Sequence, residues 1–127
     1  MTTRWRDNDV YAHMNNAVFY EYVDSVVNGW ILETGTLEIP HGPVVGLVVA
    51  SSCTFSASLG FPDPVEAGLG VSKIGNSSVT YTVVLARSGQ KGVAAEASFT
   101  HVYVDAKTHR PVPLPAAFRT ALEGIAL

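Results

Sequence analysis

Near the start of the chain two carboxylates, a histidine and two asparagines fall close together: Asp7, Asp9, His13, Asn15 and Asn16, all within RWRDNDVYAHMNNAVFYEYVD (Arg4–Asp24). An Asp-x-Asp pair can bind a hard cation, serve as acid or base, or solvate a loop. A cation normally wants three or more oxygen ligands, and the nearby chain offers mainly amides and a histidine, so no metal site is expected. A carboxylate beside an apolar segment that excludes water is the stronger candidate for acid–base or nucleophilic work. His13, Asn15 and Asn16 read two ways. Asparagine at a helix start is a cap, and a neighbouring histidine can simply donate to a carbonyl. Alternatively, first-turn N–H groups, which lack intrahelical partners and sit at the positive end of the helix dipole, polarise a carbonyl oxygen. Asp9 would then act on the carbonyl carbon or on water.

Positioning these groups requires a helix, and the sequence supplies its pattern. From Asn16 onward, Phe19, Tyr22, Val23, Val26, Val27, Trp30 and Ile31 recur at three- and four-residue spacing, as in a helix with one buried face. Gly35 suits the left-handed position just past its end. The remaining segments read as strands. Met1–Arg6 allows at most one short strand. Val44–Ser58 is a long one with a bend expected near Ala50–Ser52, and Val65–Ile74 follows with Gly68 and Gly70 as bulges or close-approach points. Val79–Ala86 alternates, Val93–Val104 is the last strand, and a Pro-rich stretch leads to a short amphipathic tail, Ala116–Ile125. One helix followed by antiparallel strands is an α+β order, and a helix of about 20 residues is the only element able to cover such a sheet. The expected architecture is an antiparallel sheet wrapped around one long central helix, in a single domain over residues 1–127.

The totals bound the partners. The 127 residues are 47% hydrophobic and only 15% charged, which argues for a packed core and against disorder. Short apolar runs broken by Gly, Pro and Ser predict no membrane span, and the absence of a leader pattern points to a cytoplasmic protein. Net charge of −3 with eight scattered basic residues gives no nucleic-acid footprint. Cys53 is the sole cysteine, so no internal disulfide can form; in ASSCTF it reads as a structural thiol rather than a nucleophile.

Three blocks in order then resemble one family. RWRDNDVYAHMNNAVFY is similar to the R-W-x-D-x-D-x-x-G-H-V-N-N-x-x-Y signature of hotdog-fold thioesterases of the 4-hydroxybenzoyl-CoA thioesterase type. KIGNSSVTYTVVL (Lys73–Leu85) and FTHVYVDAKTHRPVPLP (Phe99–Pro115) extend the likeness over nearly the whole chain. The resemblance implies the hotdog fold and hydrolysis of an acyl-CoA thioester without a cofactor. It also implies a homodimer, or a dimer of dimers, with sites at subunit interfaces. The family's catalytic aspartate, nucleophile or general base, falls on Asp9, and its oxyanion donor on the backbone N–H near Asn16. His13 and Asn15 match polar positions resembling those of plant acyl-carrier-protein thioesterases. Ser77 and Ser78 match a G-x-S-S turn near the pantetheine or acyl end across the dimer, and Lys73, Arg87 and Lys91 are the local candidates for CoA phosphates. Two departures stand out: Ala12 replaces the family's glycine before histidine, and Met14 replaces valine.

The same fold also supports acyl-carrier-protein thioesterases and non-hydrolytic acyl-CoA binding proteins. A hydratase-like reading lacks the Asp/His arrangement that such enzymes use. The acyl group itself is not legible in the sequence.

Overall fold

The computed structural model describes residues 16–39, 41–56, 64–89 and 92–127. The elements run α1 (Asn16–Thr34), β1 (Val44–Phe55), β2 (Val65–Ile74), β3 (Ser78–Arg87), β4 (Ala95–Asp105) and α2 (Ala116–Glu123). The four strands form one antiparallel sheet in the order β1-β4-β3-β2. The fold is α+β, with two helices on a four-stranded sheet. The expected strand Met1–Arg6 lies outside the described residues.

α1 forms where the apolar spacing places it. Tyr22, Val23, Val27 and Ile31 are buried, with Val26 and Trp30 packed beside them. Its end is fixed by Gly35, whose φ of +64° is the left-handed conformation that side chains resist. The Gly35 N–H donates to the Leu32 carbonyl at 3.3 Å, and the Thr34 hydroxyl donates to the Ile31 carbonyl at 2.7 Å. On the sheet beneath, Tyr20 stacks on Phe99 with ring centroids 6.0 Å apart, and Trp30 meets the edge of Tyr81 at 6.5 Å. α1 packs against β2 and β3.

The strands follow the alternation in their sequences. In β3 every second residue, Val79 through Leu85, is buried; in β4 the same holds from Ala95 to Tyr103. Register pairs Tyr81 with Phe99 and Val79 with His101, so the two buried rows share one face. On the other face Thr80 and Thr100 hydroxyls bond at 3.0 Å. Two expectations shift. The irregularity of β1 falls between Val48 and Ala50, just before the expected bend. That of β2 falls between Val71 and Lys73, not at its glycines. Gly70 is instead a close-approach point: a Cβ there would stand 2.6 Å from the Leu127 side chain. The C-terminal residues lie along β2, with the Leu127 N–H donating to the Val71 carbonyl at 2.8 Å and the Val71 N–H to that of Ile125 at 3.0 Å. α2 buries Phe118 and Leu122, and Phe118 packs edge-on to Tyr103 at 5.0 Å.

Candidate functional site

Asp9, His13 and Asn15 lie outside the described residues, as does Lys91. Asn16 is the first residue of α1, so its backbone N–H belongs to the turn that has no intrahelical acceptor. The other candidate groups are on the sheet. Lys73 is exposed on β2, beside the irregularity and opposite Thr80. Arg87 closes β3 and is half-buried, so it is not a freely solvated cation. Cys53 is half-buried on β1, and burial pushes its thiol up, which suits a structural role.

Ser77 and Ser78 sit at the β2–β3 turn, which is held from three sides. The Ser77 carbonyl accepts from the Tyr103 N–H at 2.8 Å, and the Asn76 carbonyl accepts from the Leu114 N–H at 2.9 Å. The Arg119 guanidinium donates to the Gly75 carbonyl at 2.7 Å. Inside the turn, the Gly75 N–H donates to the Ser78 carbonyl at 2.7 Å, and a Cβ on Gly75 would stand 2.5 Å from the Ser78 hydroxyl. A side chain at this position would have to displace the Ser78 hydroxyl.

Tyr103, which bonds the turn, shares a cavity wall with Asn28 and Ile31 of α1. Asn28 lies twelve residues beyond Asn16 (28 − 16), or roughly 18 Å along a helix axis. Through Tyr103 the turn is thus linked to the part of α1 around Asn28 and Ile31.

What the strands do bring together is a polar cluster in the core that the sequence reading missed. Tyr81 and Tyr103 hydroxyls bond at 2.7 Å, and the Tyr103 hydroxyl lies 3.4 Å from His101 Nδ1. The His101 ring meets Tyr81 edge-on with centroids 5.2 Å apart. All three are buried, and His101 Nε2 has no hydrogen-bond partner among the described residues. Burial holds the imidazole below its ordinary value, while the Asp24 carboxylate pulls the other way. Burial also pushes the Tyr81 phenol up to about 12, partly offset by its bond to Tyr103. The Tyr103 phenol is raised further, first by burial and then by Tyr81. For all three, burial favours the uncharged form. The available signal was the buried row of β4, where His101 and Tyr103 occupy positions that alternation assigns to the core.

Beside this cluster is a half-open cavity of about 200 Å³. Ile31, Leu37, Ile39, Val44 and Val45 supply apolar walls, Gly46 lies along β1, and His101 and Tyr103 stand on the β4 side. Among the described residues no three His, Cys, Asp or Glu side chains are grouped to hold a metal ion, and no helix is long and apolar enough to cross a membrane.

The comparisons with known proteins agree with this architecture. A Pseudomonas aeruginosa protein of known crystal structure is 44% identical, with a TM-score of 0.95, over 99% of this chain and 88% of its own. A 1,4-dihydroxy-2-naphthoyl-CoA thioesterase from Synechocystis is 17% identical, with a TM-score of 0.86, over 96% and 91%. A gentisyl-coenzyme A thioesterase is 20% identical, with a TM-score of 0.84, over 97% of each chain. At such identities these last two share the fold. No curated protein matches the chain. The thioesterase-like superfamily matches residues 3–122, from before the Asp-x-Asp loop to the last turn of α2, and the chain belongs to that superfamily.

Proposed function

We propose that the protein hydrolyses an acyl-CoA thioester to the free acid and CoA. The observation that carries this reading is the superfamily match, which spans residues 3–122 and so includes Asp9, the start of α1 and the Ser77–Ser78 turn. Structural neighbours of the same fold are named as thioesterases of two aryl-CoA compounds, which supports a CoA ester over other thioesters.

In this mechanism the thioester oxygen rests on the N–H at the start of α1, near Asn16, which has no intrahelical acceptor. There the helix dipole and a fixed donor favour the negative charge that develops in the tetrahedral intermediate. Asp9 attacks the carbonyl carbon and expels CoA thiolate, leaving an acyl anhydride that water hydrolyses. Alternatively it takes a proton from water, which attacks directly. Either route consumes one water and releases one acid and one CoA thiol. His13 and Asn15 orient the ester, Ser77 and Ser78 contact its pantetheine or acyl portion, and Lys73 meets CoA phosphate. No metal or cofactor takes part.

A site of this kind draws on two copies of the chain. Tyr103, which bonds the Ser77–Ser78 turn, shares a cavity wall with Asn28, roughly 18 Å along α1 from Asn16, and this supports a common site that takes Asn16 and Ser77–Ser78 from different subunits. β1 suits the contact: it is an outer strand among the described residues, with Leu47, Val48 and Val49 respectively 41%, 50% and 59% exposed. A long apolar edge offers both hydrogen-bonding groups and buried area to a second copy. The proposed assembly is a homodimer, or a dimer of dimers, in which each sheet curls around its α1.

The test is release of free thiol from a panel of short, long and aromatic acyl-CoAs, with Asp9→Asn as the variant. Hydrolysis should fall by orders of magnitude while ligand binding persists. An Asp9→Asn protein as active as the original removes Asp9 from the chemistry, and acyl-CoA that binds but is never cleaved marks a binding protein.

A further inference from the structure

We propose that Arg119 is a positioning residue for the CoA ester: its guanidinium fixes the Gly75–Asn76 peptide and so presents Ser77 and Ser78 to the substrate. The inference rests on the reading in which this turn contacts the pantetheine or acyl portion. Its own support is the way the turn is held.

Three consecutive carbonyls of the turn each accept a hydrogen bond from a distant part of the chain. The Ser77 carbonyl takes the Tyr103 N–H of β4 at 2.8 Å, and the Asn76 carbonyl takes the Leu114 N–H, just ahead of α2, at 2.9 Å. The Gly75 carbonyl takes the Arg119 guanidinium of α2 at 2.7 Å. The first two donors are backbone groups and come with the path of the chain. The third is a side chain, so one residue type decides whether the bond exists. Much else hangs on it. The Gly75 carbonyl and the Asn76 N–H share one rigid peptide plane, and the Gly75 N–H donates to the Ser78 carbonyl at 2.7 Å. A Cβ on Gly75 would stand 2.5 Å from the Ser78 hydroxyl, so the backbone here lies directly against that side chain. Turning the Gly75 carbonyl away from Arg119 therefore moves both serines.

The guanidinium starts from a fixed base. Phe118, its neighbour in α2, is buried and packs edge-on to Tyr103 at 5.0 Å, the residue whose N–H holds Ser77. Leu122, one turn further on, is buried too. Arg119 itself is half-buried and has no carboxylate partner among the described residues. Its charge is thus directed at the carbonyl, and a charged donor makes the stronger hydrogen bond. The same C-terminal segment also holds β2 at Val71, through Ile125 and Leu127. Lys73 lies between the two fastenings.

The experiment uses the full-length protein, Arg119→Met, which keeps the apolar stem, and Arg119→Lys. Calorimetry reads affinity for S-hexyl-CoA and S-hexyl-pantetheine, thioethers that cannot be hydrolysed. KM and kcat are read with acyl-CoA, all well below the melting temperatures. Loss of one charge-assisted bond should weaken binding of both thioethers by about tenfold or more and raise KM alike, with kcat within about twofold. Arg119→Lys should recover part of the loss, as should free guanidinium ion, well below denaturing concentrations, added to Arg119→Met. A residue that only stabilises α2 would lower the melting temperature and leave affinity and KM where they were, and that result overturns the inference. Weakening confined to S-hexyl-CoA also overturns it: S-hexyl-pantetheine carries no phosphate, so the guanidinium would then be a phosphate ligand. An original protein that binds neither thioether removes the inference together with the contact it rests on. Weaker thioether binding by Arg119→Met in a protein that cleaves no acyl-CoA upholds the positioning role while sinking the hydrolytic reading.

Discussion

Replacing Tyr103 with Phe should cost more stability than replacing Tyr81 with Phe, although each removes one buried hydroxyl from the same pair. The Tyr103 hydroxyl is the central member: it bonds Tyr81 at 2.7 Å and lies 3.4 Å from His101 Nδ1. Tyr81→Phe leaves the Tyr103 hydroxyl with the imidazole, so the loss is one ordinary hydrogen bond, about 0.5–1.5 kcal/mol. Tyr103→Phe leaves the Tyr81 hydroxyl, on a residue 0% exposed, without its partner. It also leaves His101, 4% exposed, with neither ring nitrogen bonded among the described residues. Stranding buried polar groups costs about 1–3 kcal/mol each, so Tyr103→Phe, which strands two, should lose roughly 2–6 kcal/mol. The double variant no longer strands Tyr81 and should cost less than Tyr103→Phe alone, well short of the sum. Urea unfolding of the four proteins at constant subunit concentration gives these differences from midpoint and slope. Equal single-variant losses, or losses that add, would show that the three groups do not form one chain of hydrogen bonds.

Other outcomes follow from single features. Gly35→Ala should cost about 1–2 kcal/mol, because φ is +64° and nothing within 4 Å of the new methyl offers a compensating contact or a clash; thermal unfolding measures it, and a stabilised variant would contradict the left-handed end of α1. Burial lowers the His101 value in the folded state, so the unfolded chain takes up its proton first: stability should fall as pH drops from about 6.5 and level off below the folded value. Urea midpoints across this window should show the slope, and His101→Leu should flatten it. Val48→Lys places a charge on the exposed edge of β1, and if the proposed dimer pairs through that edge the variant should run as a monomer in light scattering.

Much of the architecture was legible because it follows from period alone. β2 matches its expected range, β3 and β4 shift by one or two residues, and Gly35 ends α1 as its type requires. What the sequence hid depends on register. Tyr81 and Tyr103 meet only because Tyr81 pairs with Phe99, which puts His101 and Tyr103 further along the same buried row of β4. A slip of one residue would turn either row to the other face, and nothing local to either strand announces their pairing. Gly46 was hidden likewise: its meaning comes from the Tyr103 ring opposite it, 57 residues away in the chain (103 − 46). The Asp9 and His13 assignments come from motif resemblance and fall outside the described residues, whereas Ser77 and Ser78 gain a rigid setting that their types alone did not imply.

That setting ties assembly to activity. The turn is pinned by Tyr103, Leu114 and Arg119, and Tyr103 ties it to the Asn28 end of α1. If Ser77 and Ser78 contact the substrate whose carbonyl rests at the helix start, the contact comes from a second copy, and monomers hold only half-sites. A Val48→Lys monomer with an intact fold should therefore lose most thioester cleavage, and mixing it with unmodified protein should not restore activity beyond the unmodified share. Its KM should rise more than its kcat falls if the turn binds substrate without touching the reacting atoms. A folded monomer that cleaves acyl-CoA at the original kcat/KM would place the whole site on one chain and take Ser77 and Ser78 out of it.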